Sequence, residues 1–257
     1  MKRSLELNMP RIFMILGVVT FAVFALLFYQ YSAQRRDEVQ AQQFETVMTE
    51  KMQQLYLQAQ DWTTPIHLQT KDQRLSGDYQ LMADTLLSYW INSAEARNRY
   101  LRELEKSDWV DFLDVDRLDK DRKQNYKETE QMLVQVRKIS QQYQQQTSQI
   151  KQQTLEKVEQ LPIRTDLRKA MLTKLERSQK SDEDQAIFQL ELQILEKAEA
   201  MFEMLKKYKW VKQGETILFY EDAQVKQFNT LYQEVLQLNA EIEKIEQKNV
   251  EALKQEL

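Results

Sequence analysis

Glycine and proline, the residues that most readily form turns, are almost absent from this chain. Only three of each occur among 257 residues, whereas average usage is roughly 7% and 5%. Turns, strand bulges and loops that cradle a ligand all depend on these two residues. The sequence therefore predicts an all-α protein made of long helices with few connections.

The residue types that support most enzyme chemistry are also missing. The chain has no cysteine and a single histidine, which excludes disulfides, thiol catalysis, zinc fingers and the two-histidine metalloprotease helix. Gly17, Gly77 and Gly214 lie too far apart for a phosphate-binding loop or a nucleophile elbow. We therefore predict no catalytic residue, no cofactor and no metal site, and expect that the protein is not an enzyme.

One segment near the N-terminus has the length and composition of a membrane span. Eighteen consecutive residues from Ile12 to Tyr29 contain Thr20 as their only polar side chain. At 1.5 Å per residue such a helix nearly crosses a hydrocarbon core of roughly 30 Å. We predict a transmembrane anchor at residues 12–31, after a short N-terminus at 1–11 and before a helical domain at 32–257. The alternative is a cleaved signal peptide, whose apolar region is usually shorter, at about 7–15 residues.

Basic residues around the predicted span indicate its orientation. Lys2, Arg3, Arg11 and the amino terminus precede the span, whereas Arg35 and Arg36 follow it. The positive-inside rule therefore favours a cytoplasmic N-terminus and an exported body. The chain also has no Asn-x-Ser/Thr sequon, the acceptor that glycosylation uses. We predict a single-pass protein of the bacterial inner membrane, with its body in the periplasm.

The charge of the body argues against nucleic-acid binding. Residues 1–36 carry five basic side chains and one acidic side chain, and the remainder carries 31 basic and 39 acidic side chains. An acidic body repels the phosphate backbone that dominates protein–nucleic acid affinity. The expected partners are the lipid bilayer, through residues 12–31, and one or more proteins of the cell envelope.

Apolar residues recur at helical spacing over most of the body. The predicted helices, bounded by lapses in that spacing or by breakers, are 34–62, 78–106, 116–160, 165–179, 181–212 and 222–257. Their lengths favour an elongated antiparallel helical bundle or coiled-coil body. A parallel homodimer along the last helix is the alternative, because Asn249 would suit an inner position. That register brings Glu241 against Glu246 of the second copy, so packing within one chain is preferred.

An acidic cluster runs from Asp108 to Asp121. Its six aspartates in 14 residues could hold calcium, which prefers oxygen ligands. The calcium-loop pattern fails, however, because no glycine follows Asp116 and Asn125 stands where a bidentate glutamate belongs. The favoured interpretation is that these carboxylates begin and cap two helices.

Two neighbouring segments are the best candidates for contact with a partner. The connector Ile217-Leu218-Phe219-Tyr220 is apolar where a solvated loop would be polar, so it either straps across the bundle or docks a partner. Lysines surround Tyr208 and Trp210 just before it, and they either contact lipid headgroups or an acidic partner or offset a helix C-terminus. The predicted partner-binding residues are Ile217, Leu218, Phe219, Tyr220, Lys206, Lys207, Lys209 and Trp210.

Three function classes fit these features to different degrees. The favoured class is a non-catalytic scaffold or adaptor that positions partner proteins beside the membrane. The alternative is a periplasmic ligand-sensing module, since an anchor followed by a helical bundle resembles the sensor half of bacterial chemoreceptors in architecture. The third is an envelope hydrolase that uses two carboxylates of the acidic cluster.

Overall fold

A computed structural model describes residues 38–180 and 183–256, and this part of the chain is mostly helical, as predicted. It contains a short 3₁₀ helix at Trp109–Asp111 and seven α-helices. The α-helices are α1 (Glu38–Ala59), α2 (Gly77–Lys106), α3 (Val115–Arg122), α4 (Lys127–Gln160), α5 (Thr165–Lys180), α6 (Glu183–Lys207) and α7 (Asp222–Glu256). The predicted helices 78–106, 165–179 and 222–257 correspond closely to α2, α5 and α7.

The predicted continuous helix over 116–160 is wrong, because the chain bends between α3 and α4. Asn125 and Tyr126 adopt left-handed backbone conformations, with φ of 58° and 60°. The buried carboxylate of Asp121 accepts hydrogen bonds from the backbone N–H groups of Glu128 (3.0 Å) and Thr129 (2.8 Å). These groups begin α4 and have no partner within the helix, so Asp121 stabilises the restart.

The predicted helix over 181–212 also ends early, and the residues after it form a β-hairpin. Strand β1 (Trp210–Gln213) pairs antiparallel with strand β2 (Thr216–Phe219). Gly214 follows a lysine-rich helical turn, where the sequence favours a C-terminal helix cap. It is instead the first residue of the two-residue turn, with φ of 61°. Positive φ at this position only is the arrangement of a type II′ turn, which favours glycine there. The hairpin is the one departure from an all-α fold among the described residues.

The described chain forms two compact units. We call residues 101–141 and 185–245 the hairpin unit, and residues 38–100, 142–180, 183–184 and 246–256 the loop unit. The core of the loop unit draws fully buried side chains from α1, α2 and α4, including Val47, Leu55, Leu87 and Val158.

The loop unit also contains a long connection at residues 60–76. The N–H of Ile66 in this loop donates to the Glu95 carboxylate of α2 (3.2 Å). Arg74 forms a two-pronged ion pair with Glu50 of α1, with its shorter contact at 2.5 Å. These contacts fix the loop to both helices that it connects.

No helix within the described ranges is long and apolar enough to cross a membrane. The predicted segments 1–11 and 12–31 lie outside those ranges, as does the side chain of Asn249.

Candidate partner-binding site

The hairpin presents two faces of different character. Its register places Trp210 opposite Phe219 and Val211 opposite Leu218. Opposed residues of an antiparallel pair point to the same side, and successive residues point to opposite sides. Trp210 and Phe219 therefore share the inner face, and Val211 and Leu218 share the outer face.

The inner face is attached to the helices through a buried hydrogen-bond chain. The indole Nε1–H of Trp210 donates to the hydroxyl of Tyr126 (2.7 Å), and that hydroxyl donates to the backbone carbonyl of Leu205 (2.8 Å). Burial raises the pKa of Tyr126, so its hydroxyl stays protonated and can donate. One tyrosine thus joins the bend before α4, the end of α6 and the hairpin.

Charged side chains of α3 strengthen this attachment at β1. The Arg122 guanidinium lies 4.3 Å from the centre of the Trp210 ring and donates a hydrogen bond to the Trp210 carbonyl. It also pairs with Asp119 at 2.6 Å, which holds the guanidinium over the ring. Lys212 of β1 forms an ion pair with Asp116.

The second strand is held by an aromatic contact. The ring of Phe219 lies 5.3 Å from the ring of Phe228 on α7. Phe219 and Trp210, two of the predicted partner-binding residues, are buried in this fold. They position the hairpin, so they offer a partner little surface.

The outer face leaves apolar side chains in solvent. Val211 is 41% exposed, Tyr220 just beyond β2 is 71% exposed, and Leu218 is half-buried. Ile217, on the inner face near the turn, is also half-buried. The predicted connector at residues 217–220 therefore consists of most of β2 and the residue after it. The exposed apolar surface also includes Val211, which pairs with Leu218 from the other strand. Val211 is not among the predicted partner-binding residues, although β-branched residues on both sides of Gly214 are a hairpin signal.

The lysines near the hairpin differ in their surroundings. Lys206 pairs with Glu130 of α4 at 2.6 Å, and this hydrogen bond raises the pKa of Lys206. The ammonium of Lys207 lies 5.1 Å from the Tyr208 ring. Lys209 is exposed and forms no ion pair among the described residues. Lys207 and Lys209 thus leave exposed positive charge just before β1.

Four aspartates of the acidic cluster cap helices or form ion pairs with basic side chains. Asp114 caps α3 by accepting from the N–H of Arg117 (2.7 Å), and Asp121 caps α4. Asp116 and Asp119 pair with basic side chains. No group of acidic residues that could hold a metal ion occurs in the part of the chain that the structure describes. These contacts agree with the interpretation that the cluster begins and caps helices.

We compared the chain with protein families, curated proteins and solved structures. No protein-family model, curated protein or solved structure matches the chain.

Proposed function

We propose that this chain is a non-catalytic, single-pass adaptor of the bacterial inner membrane that positions partner proteins of the cell envelope. In this proposal residues 12–31 form the transmembrane anchor, and the antiparallel helical body lies in the periplasm. The hydropathy of residues 12–29 supports the anchor, and the unequal basic charge around it supports the orientation.

The observation that carries the proposal is an exposed apolar surface on a firmly attached hairpin. Val211, Leu218 and Tyr220 define this surface, which we call the outer surface. Single exposed hydrophobic residues are common, whereas neighbouring ones are typical of interaction sites. The buried Trp210–Tyr126 contact fixes the hairpin before any partner arrives. Binding then costs little conformational entropy, which favours a recognition role.

Site-specific photo-crosslinking in cells tests this adaptor role. A photoreactive amino acid replaces Val211 or Tyr220 in the full chain, and a matched variant carries it at Val134. Val134 is 71% exposed on α4 of the same unit, so it controls for exposure and for proximity to the body. We expect discrete crosslinked proteins from positions 211 and 220 and none from 134. Equal crosslinking at all three positions, or none at any, contradicts the proposal.

Reporter fusions at Leu257 test the proposed orientation separately. Alkaline phosphatase is active only outside the cytoplasm, and green fluorescent protein, exported unfolded, fluoresces only inside it. We expect an active phosphatase fusion and a dark fluorescent fusion. The reverse pattern would place the body in the cytoplasm and would exclude periplasmic partners.

A further inference from the structure

The two strands of the hairpin differ in what lies along their outer edges. A two-stranded sheet has two such edges, and each carries backbone N–H and C=O groups that point away from the other strand. The two-residue turn ends at the Gln213–Thr216 pair, whose backbone groups bond to each other within the hairpin. Along an antiparallel ladder, inward-bonded pairs alternate with pairs whose groups point outward. The outward-pointing groups belong to Trp210 and Lys212 on β1 and to Ile217 and Phe219 on β2.

The β1 edge is covered by α3. The outward carbonyl of Trp210 accepts a hydrogen bond from Arg122, and the side chain of Lys212 reaches Asp116 on the same helix. The first contact satisfies the Trp210 carbonyl, and the packing of α3 along β1 blocks the approach of another strand.

In the described chain the outward-pointing backbone groups of β2 are unpaired, and the edge is more accessible at the half-buried Ile217 than at the buried Phe219. Neither the N–H nor the C=O of Ile217 or Phe219 has a hydrogen-bond partner outside the hairpin among the described residues. A strand edge in this condition is complementary to any extended backbone, whose own groups repeat at the same spacing.

Negative charges at the two ends of β2 indicate which kind of partner segment could pair with it. Glu215 precedes the strand and Glu221 follows it; both are exposed, and neither forms an ion pair in the described part of the chain. The residues after 36 also carry eight more acidic than basic side chains. The nearest exposed lysines, Lys209 and Lys212, lie on the β1 side of the hairpin, one strand away from the β2 edge. Opposite charge at the β2 edge therefore favours a basic partner, because like charges brought together at an interface are unfavourable.

We propose that β2 binds an extended segment of a partner protein as a third strand, with basic residues at both ends of that segment. This inference rests on the proposed adaptor function and specifies how the partner is recognised. Backbone pairing supplies the affinity, and Glu215 and Glu221 select basic flanks. Apolar side chains of the segment then extend the outer surface.

Binding of a defined peptide tests the inference. The probe is a fluorescent Lys-Val-Thr-Val-Thr-Lys peptide, measured by anisotropy against the full chain in detergent, with a version flanked by glutamate as the charge control. Ile217→Pro removes an N–H that faces away from β1, so the pairing within the hairpin is retained. Ile217→Val keeps the N–H and is the matched control.

We expect the lysine-flanked peptide to bind the wild-type and Ile217→Val chains equally well. It should bind the Ile217→Pro chain roughly tenfold more weakly, as expected for one lost hydrogen bond and one unpaired group. The glutamate-flanked peptide should also bind the wild-type chain roughly tenfold more weakly, because its ends repel Glu215 and Glu221. Absence of peptide binding, equal binding to the Ile217→Pro chain, or equal binding of both peptides overturns the inference.

A charge reversal provides a second test that does not depend on proline. In the Glu215→Lys, Glu221→Lys double variant, the preference should invert toward the glutamate-flanked peptide, and an unchanged preference overturns the inference. Crosslinking from positions 211 and 220 separates the two proposals. If those crosslinks form while the peptide tests fail, the adaptor function stands and strand pairing does not. If the crosslinks are absent, the adaptor function itself fails.

Discussion

Tyr126→Phe is the substitution that should most clearly reveal how the hairpin is attached. The change removes one oxygen atom and leaves the ring, so the edge-on contact with Phe202, whose ring centre is 5.6 Å away, is retained. It deletes two hydrogen bonds, one from Trp210 at 2.7 Å and one to the Leu205 carbonyl at 2.8 Å. The perturbation is therefore limited to polar contacts.

The expected cost follows from the burial of those contacts. Trp210 is only 2% exposed, so its indole N–H cannot find water when the tyrosine hydroxyl is gone. A net hydrogen bond contributes about 0.5–1.5 kcal/mol, and a buried donor left unpaired costs about 1–3 kcal/mol. We expect Tyr126→Phe to lower the free energy of unfolding by about 2–3 kcal/mol, the sum of these two contributions.

Guanidinium unfolding of the full chain in detergent, followed by circular dichroism, measures this change. Tyr220→Phe is the matched control, because that hydroxyl is exposed, and it should change stability by less than about 0.5 kcal/mol. Adding Trp210→Phe to Tyr126→Phe removes the orphaned donor, so the two changes should be non-additive by about 1 kcal/mol. A Tyr126→Phe chain as stable as the control, or strictly additive changes, would refute this account of the attachment.

The remaining predictions concern capping, the turn and one carboxyl. Asp121→Ala should lower the free energy of unfolding by about 2 kcal/mol, and Asp114→Ala should lower it by only about 1 kcal/mol. The difference arises because Asp121 is buried and also accepts a hydrogen bond from the Thr129 hydroxyl. Equal losses in denaturant unfolding would contradict this ranking. Gly214→Ala should lower the free energy of unfolding by about 1 kcal/mol in the same denaturant assay. This loss would come from backbone strain alone, since an added Cβ meets no atom within 4 Å. Hydrogen bonding to Arg74 lowers the pKa of Asp72 to about 2. The ionised Asp72 therefore stabilises the folded chain fully above the ordinary carboxyl pKa of 3.8, and this contribution is lost as the pH falls through about 2. NMR titration of the Asp72 carboxyl should show that low pKa, and Arg74→Gln should return it toward 3.8; an unshifted carboxyl in the unmodified chain argues against the pairing.

Most helices could be predicted because local signals determine them. The polar connection before Gly77 and the break at Pro162 separate apolar stripes at helical spacing, and α2, α5 and α7 begin within one residue of their predicted starts. The bend before α4 could not be predicted from local signals. Neither Asn125 nor Tyr126 is a glycine or a proline, and the hydroxyl of Tyr126 bonds to groups on α6 and the hairpin.

The candidate site was predicted in part. An apolar segment at 217–220 next to basic and aromatic residues is visible in the sequence, and the structure places it in β2 and the residue after it. The strand pairing is not predicted, because a glycine after a lysine-rich helical turn, as Gly214 is, favours a helix cap. The β-branched residues Val211, Thr216 and Ile217 on either side of Gly214 were the signal for a hairpin.

The contact between Tyr126 and Trp210 has a consequence for the order of folding. The two residues are 84 positions apart in the chain, whereas the turn at Gly214 joins strands that are adjacent in sequence. A hairpin forms in microseconds, but contacts between distant residues form only after a large loop has closed. The attachment of the hairpin should therefore come late, after the transition state for folding. Weakening it should accelerate unfolding and leave the folding rate almost unchanged.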